Sequence, residues 1–451
     1  MIRNSILDRW EKVRIESRGA AIFSAGGEIL RSWDEIEAEA GELRGQLEGD
    51  CGAVSIQTGN VPSVPGVLLA CWRTGRPVVL LDCELLGEDR RQVESSLGVT
   101  LRITAHAGGA LAFVDVTSPP APPSRACLYK VTAGQDGGLR VVGFTAEQLL
   151  ADCDQVADAM GIGRGDVSYG AVSFAHSYGF SSLLTVLLCR GVPFAIAGDV
   201  LPWALVRGVE CSKASVLPLV PAMFRALLSI ESLPPTLRLC ISAGAALAPQ
   251  LGAEFHRKFG RKIHSFYGTT ECGGICYDSS DEVPSEPGFV GTPLCGVRVE
   301  LASPEASGGS RARVWSNAMG IGVASAQGAF EPPDVLLQQG AGFRIVRCDS
   351  PVLNVAGKKV HPAEIESVLK KVPGVADAVV WGVPDLQRGE EICALIISPQ
   401  PVDAVAVRRH CANCLPPWQV PRRILTERYL PEGLTDRSAR AAFAAGKVSN
   451  R

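Results

Sequence analysis

Short apolar runs alternate with helix-length amphipathic stretches through the first two thirds of the chain, and this alternation restricts the fold more than any other feature. GAVSIQTG, PVVLLD, VSYGAVSFAH, VPFAIAG, ASVLPLV and LRLCISAG read as strands, and WDEIEAEAGELRGQL, AEQLLADCDQVADAM and PAMFRALLSI read as helices. Strands joined through helices run parallel and are covered on their faces, so an α/β layered domain is predicted. From DSPVLNVAG onward the pattern changes to a helix, PAEIESVLKKV, two strands, ADAVVWGV and EEICALII, a further helix and an Arg-rich tail. The change predicts a large N-terminal α/β domain over residues 1–348 and a small mobile α+β domain over 349–451, the latter of ordinary domain size.

Composition narrows the function classes. The 451 residues are 46% hydrophobic and 20% charged, the balance of a globular protein. A net charge of −3 argues against nucleic acid as the main partner, because phosphate backbones select a surplus of Lys and Arg on one face. Small molecules become the default ligands. MIRNSILDRWEKVRIESRG lacks the apolar stretch of a signal peptide, and no run approaches the length of a membrane span, so a cytoplasmic protein is expected. The fifteen cysteines sit in apolar contexts such as LLACW and LLCRG, where a thiol acts as a small hydrophobe. Cys272 with Cys276, and Cys411 with Cys414 beside His410, each lack the second pair that a zinc site requires.

The densest chemical signal is SFYGTTECGG, which follows the strand-like KIHSF. Small and hydroxylated residues on a tight turn let Gly268, Thr269 and Thr270 approach phosphate, and a following carboxylate, Glu271, can hold magnesium. Upstream, CISAGAALAPQL places Ser242 to Ala246 at a strand end, with Gly244 flanked by alanines that leave room for a flat ring. Downstream, GFVGTPLCGVRVEL has the Gly and Pro spacing of a turn entering a strand pair.

In order and spacing, YGTTE, preceded by SAGAAL and followed by GFVGTPLCGV, resembles the core of the adenylate-forming ligases: acyl-CoA synthetases, aryl-acid ligases and peptide-synthetase adenylation domains. RSWDEIEAEAGELRGQL and GAVSIQTGNVPSVPGVLLACWRTGRPVVLLD are similar to the family's opening helix and strands, and VSFAHSYGFSSLLTVLLCRGVPFAIAG to its acyl-pocket segment. LNVAGKKVHPAEIESVLKKVPGVADAVVWGVPDLQRGEEICALII is similar to the start of its mobile C-terminal domain. Several motifs in one order are more specific than any alone.

The resemblance implies a role for each matching residue. Thr270 contacts the α-phosphate and Glu271 is the Mg²⁺ ligand. Gly244, Ala245 and Tyr267 embrace adenine, and Asp334 takes the ribose hydroxyls, although Pro332 and Pro333 stand where Thr-Gly is usual. His176 falls beside the substrate carboxylate and the thiol entrance. The phosphate loop corresponds to VTAGQDGGLRVV, where Gly134 and Gly137 keep the backbone permissive and Arg140 replaces a lysine. Gln135 and Asp136 replace hydroxyl residues there, and an Asp facing polyphosphate is repulsive unless Arg140 or magnesium offsets it. At RIVRCDSP, either Arg347 grips the ribose with a one-residue shift or Cys348 has replaced the family's Arg; Arg347 is preferred, with Asp349 as the hinge. The C-terminal catalytic lysine is replaced in LPEGLTDRSARAAF by Arg437, with Lys447 as the second candidate, and an Arg fork is not a compact ammonium.

Ala175 stands where amino-acid-activating relatives carry an Asp for the α-ammonium, and a buried ammonium without a partner is costly. The expected substrate is therefore an aryl or fatty acid lacking an α-amine. The expected cofactors are ATP, Mg²⁺ and either CoA or the phosphopantetheine of a carrier protein, which Arg408, Arg409, Arg422 and Arg423 could meet. Two other readings fit the altered motifs: a degenerate homologue that binds a ligand or partner without adenylation, and an acyltransferase or amide-forming variant supplied with a preformed activated acyl group. Site residues rather than fold decide among them.

Overall fold

The computed structural model describes residues 5–85, 87–105, 110–121, 124–133, 139–304, 308–348, 353–355, 358–385, 388–400 and 402–429. The chain divides into two compact units, Met1–Thr132 with Val141–Asp349, and Ala133–Arg140 with Ser350–Arg451.

In the larger unit, strands Phe194–Ile196, Ser168–Gly170, Val216–Leu219, Leu239–Ser242 and Ile263–Thr269 are parallel neighbours at the centre of a thirteen-stranded sheet. This is the arrangement that alternating strands and helices dictate. Beyond Ile263–Thr269 the sheet continues antiparallel, through Gly273–Tyr277, Phe289–Pro293, Gly342–Cys348 and Asp334–Gln339. That half was not legible in the alternation, because no helix among the described residues joins its strands. A separate six-stranded sheet holds Ala53–Gln57, Val78–Leu80 and Leu128–Ala133 as parallel neighbours.

The two longest predicted helices form over the predicted residues, Trp33–Leu47 and Ala146–Met160. Each opens with a capping box, Ser32 with Glu35 and Thr145 with Gln148, so two backbone N–H groups at each start find acceptors. Helix Ala146–Met160 ends at Gly161 in the left-handed conformation and buries Leu149, Asp152, Cys153, Val156 and Met160. VSYGAVSFAH is a strand only over Ser168–Gly170. The remainder is a loop because the side chain of Asn60 takes its backbone: Asn60 Nδ2 donates to the Val172 carbonyl at 2.8 Å, and Phe174 N–H donates to Asn60 Oδ1 at 2.8 Å.

The smaller unit packs helices Pro362–Lys370 and Ala404–Cys414 on one side of a five-stranded sheet, through Val360, Ile365, Leu369, Val380, Ala394 and Val407. All fifteen cysteines are thiols. Burial pushes Cys272 and Cys276 up to about 12, and His410 Nε2 lies 3.9 Å from Cys414 Sγ. No helix among the described residues is long and apolar enough to cross a membrane.

Candidate active site

The parallel strands Val216–Leu219, Leu239–Ser242 and Ile263–Thr269 end in register, with Leu219 beside Ser242 and Ser242 beside Ser265. Carboxyl ends of parallel strands are where open α/β sheets hold ligands. Ser242 is 2% exposed, and its Oγ has no hydrogen-bond partner among the described residues. Two residues on, Gly244 has φ +81, a conformation that a side chain would strain, and Ala245 follows, half-buried.

Strand Ile263–Thr269 continues this edge and carries Tyr267, 7% exposed. The Tyr267 hydroxyl donates to Asp334 Oδ2 at 2.8 Å, and burial, followed by the nearby Asp334 carboxylate, pushes the phenol well above its ordinary range. Asp334 starts strand Asp334–Gln339, where its Cα pairs with Cys348 and the Val335 Cα pairs with Arg347. Directly opposed residues share a face of an antiparallel pair and neighbours alternate, so Cys348 lies on the Asp334 face and Arg347 on the other. The ribose reading of Arg347 thus has the strand register against it, whereas Cys348 is among the groups that raise the Tyr267 phenol.

After Thr269 the chain turns tightly and returns as Gly273–Tyr277. Two glycines make this turn possible. A Cβ on Gly268 would meet the Gly273 carbonyl oxygen at 2.6 Å, and one on Gly273, which has φ +72, would meet Asp152 Oδ1 at 2.4 Å. Thr269 Oγ1 accepts the Cys272 N–H at 3.2 Å, Gly274 N–H donates to Asp152 Oδ1 at 2.9 Å, and Gly320 N–H donates to the Glu271 carbonyl at 2.9 Å. Thr270 and Glu271 ride half-exposed at the tip, and among the described residues neither side chain has a hydrogen-bond or ion-pair partner. A half-exposed carboxylate on a rigid turn suits a hard divalent cation.

His176 belongs to the Asn60-pinned loop. Gly179 lets the helix after it approach closely, since a Cβ there would lie 2.0 Å from the Ser173 carbonyl oxygen. The imidazole is half-exposed, with Nε2 3.1 Å from Asp82 Oδ2, so it is not a core histidine satisfied by backbone. Tyr178, on the same segment, donates to the Ile241 carbonyl at 3.0 Å and ties the loop to the strand that ends at Ser242.

Sequence reasoning missed the groups beneath this surface. Lys130, in strand Leu128–Ala133, is 4% exposed and donates to Ser177 Oγ at 3.0 Å, with Nζ 4.9 Å from the Phe144 ring centre and 5.3 Å from that of Phe180. Burial depresses its pKa, and the Asp152 carboxylate partly opposes that shift. Asp152 in turn accepts the Ser181 hydroxyl from the π-helical turn Phe180–Thr185. A polar residue inside a strand-like run was the one available signal for Lys130. Asn60 and Asp82 carried none, because their partners are distant in sequence.

The other expected site residues divide plainly. Arg140 is exposed on strand Leu139–Phe144. Gly134, Gly137, Asp349, Arg437 and Lys447 lie outside the described residues. Of the four arginines considered for an acceptor, Arg423 Nε is 3.1 Å from Glu391 Oε1, Arg422 is 3.9 Å from the same carboxylate, and Arg408 donates to the Arg422 carbonyl at 2.8 Å.

The sequence matches the AMP-binding enzyme family over residues 114–311 and the AMP-binding enzyme C-terminal domain over 364–432. The chain belongs to the AMP-binding enzymes. It is 25% identical over 352 residues, 71% of its length, to a protein of Humulus lupulus named "Probable CoA ligase", of which the match spans 66%, just under two thirds. It is 24% identical over 449 residues to a 2-succinylbenzoate–CoA ligase of Bacillus licheniformis, covering 91% of this chain and 93% of that one. Its fold matches an o-succinylbenzoate CoA synthetase from Bacillus subtilis with a TM-score of 0.83 at 19% identity, over 96% of this chain and 97% of the other. The large layered α/β unit with a smaller second unit is the fold of adenylate-forming ligases.

Proposed function

We propose that this AMP-binding enzyme is an acid–thiol ligase that uses ATP to convert a carboxylic acid without an α-amine into an acyl-adenylate, then transfers the acyl group to the thiol of CoA or of a carrier-protein phosphopantetheine. The observation that carries the reading is the Tyr267–Asp334 bond, which joins the ring-flanking strand to a carboxylate able to accept ribose hydroxyls. The named CoA ligases among its relatives support the same chemistry.

In this reading Gly244 and Ala245 leave space for adenine against Tyr267, and Asp334 accepts the ribose hydroxyls. The Thr270 hydroxyl donates to the α-phosphate from the turn tip. Glu271 would hold magnesium, which, when bound, neutralises phosphate charge as pyrophosphate leaves. The acid lies along the segment beginning at Ala175, whose own sequence carries no carboxylate at the place where amino-acid-activating relatives have an Asp. A C-terminal cation, Arg437 by its distance from Leu430-Pro431 in sequence, would complete adenylation. The test is acid-dependent ATP–pyrophosphate exchange over a panel of aryl and fatty acids, followed by CoA thioester analysis. Exchange with an aryl or fatty acid is expected. Its absence across the panel, with ATP still bound, would replace the ligase by a non-adenylating homologue.

A further inference from the structure

We infer that Asp82 is a positioning residue for His176, fixing the imidazole so that Nδ1 is the basic nitrogen offered to the incoming thiol; this rests on the ligase reading above. Both partners are held by backbone contacts. Asp82 follows the strand Val78–Leu80, its Oδ1 accepts the Glu84 N–H at 2.9 Å, and its carbonyl accepts Gln57 Nε2 at 2.8 Å. Gln57 is itself held by Arg90, whose Nη1 donates to Gln57 Oε1 at 3.0 Å. With Oδ1 so engaged, Oδ2 is directed at His176 Nε2, 3.1 Å away. His176 sits on the loop that Asn60 clamps at Val172 and Phe174, and its N–H donates to the Ser173 carbonyl at 3.2 Å.

The chemistry follows from that contact. An ionised carboxylate only accepts hydrogen bonds, so the neutral imidazole bonded to Asp82 carries its proton on Nε2, and its lone pair is on Nδ1. Half of the His176 side chain is exposed, which leaves the ring open to a thiol arriving from solvent. In the transfer step the Nδ1 lone pair takes the S–H proton as sulfur bonds to the acyl carbon, and the acyl–phosphate C–O bond breaks with its electron pair leaving on AMP. The imidazolium, steadied by Asp82, then releases its proton to solvent. The arrangement is that of a base oriented by a third group.

The test has two arms. In protein labelled with ¹⁵N-histidine, with the His176 signal assigned by its loss in His176→Gln, the neutral ring is expected as the Nε2–H tautomer. Asp82→Asn, whose amide oxygen still accepts, should retain it, and Asp82→Ala should show a tautomer mixture. An unchanged tautomer in Asp82→Ala overturns the inference. In the kinetic arm, the ratio of thioester formation to pyrophosphate exchange should fall about tenfold to a hundredfold in Asp82→Ala, below the whole contribution of a general base. Asp82→Asn should recover part of this, and adding Asp82→Ala to His176→Ala should cost nothing further. Additive losses would overturn the inference. If the parent shows no exchange with any acid, the ligase reading fails while the tautomer arm still decides the Asp82–His176 pair.

Discussion

Replacing Tyr267 by Phe removes one oxygen from the centre of the candidate site and nothing else. Phe keeps the ring, so no cavity opens around this 7% exposed side chain. What is lost is the 2.8 Å donor to Asp334 Oδ2. A hydrogen bond to a charged group contributes about 1.5–3 kcal/mol net. Asp334 is half-buried, so water replaces part of that contact and the lower end, about 1.5 kcal/mol of stability, is expected. The carboxylate also loses the contact that aims it, and about 1.4 kcal/mol of lost ribose binding corresponds to a tenfold weaker interaction. Urea unfolding measures the first quantity, and the ATP dependence of pyrophosphate exchange measures the second. The expected result is a lowered unfolding midpoint together with an ATP KM raised about tenfold and a kcat changed far less. Full stability and an unchanged KM in Tyr267→Phe would show that the two residues act independently and would remove the main support for a ribose site at Asp334.

Glu271→Gln should abolish magnesium-dependent exchange while leaving thermal unfolding within about 0.5 kcal/mol of the parent, because the side chain has no structural partner among the described residues; a normal rate at saturating magnesium refutes the assignment. For Lys130 the sign is set by its depressed pKa: between the folded value and the ordinary 10.5 the unfolded chain holds more protons, so this group adds stability as pH rises through that window. The parent should therefore gain stability relative to Lys130→Met as pH approaches 10.5, and parallel pH profiles for the two proteins would refute it. Arg437→Ala should reduce exchange about a hundredfold to a thousandfold, with Arg437→Lys retaining or raising it and Lys447→Ala near the parent rate; the reverse ranking would move the catalytic cation to Lys447.

The parts of the fold that were legible are those whose determinants are local. Helices Trp33–Leu47 and Ala146–Met160 carry their own stop and start signals, with capping boxes at Ser32 and Thr145 and Gly161 closing the second. The Thr269–Glu271 turn was legible for the same reason, since the glycines that shape it stand beside it in the sequence. Where a partner came from far away, the reading failed. VSYGAVSFAH has strand composition throughout, yet Asn60, more than a hundred positions earlier, diverts Val172 and Phe174 into a loop. The sequence reading prefers Arg347 to Cys348, whereas the register sets Cys348 opposite Asp334; the choice depends on strand pairing, which a bulge between Val335 and Leu336 further shifts.

The same distinction between local and distant constraints separates residues that the turn needs from residues that only a ligand would need. Gly268 is required by close backbone approach and Gly273 by its φ of +72 against the Asp152 side chain, and Thr269 Oγ1 closes the turn on the Cys272 N–H, so a protein with no activity would keep all three simply to fold this hairpin. Thr269 can still donate its hydroxyl proton, but its presence alone carries little functional weight. Thr270 and Glu271 differ, because the described structure gives their side chains no bond to make. Tyr267 and Asp334 satisfy each other, yet Asp334 has further acceptor capacity beyond the one phenol proton it receives. The larger unit thus holds a hydroxyl, a carboxylate and a partly satisfied carboxylate near the ends of its parallel strands. Of the altered positions, Arg140 is exposed on strand Leu139–Phe144, and Gln135, Asp136 and Arg437 lie outside the described residues. Exchange kinetics, rather than nucleotide affinity, discriminates the ligase from its non-adenylating alternative, because a homologue that only binds the nucleotide gives affinity without the chemical step.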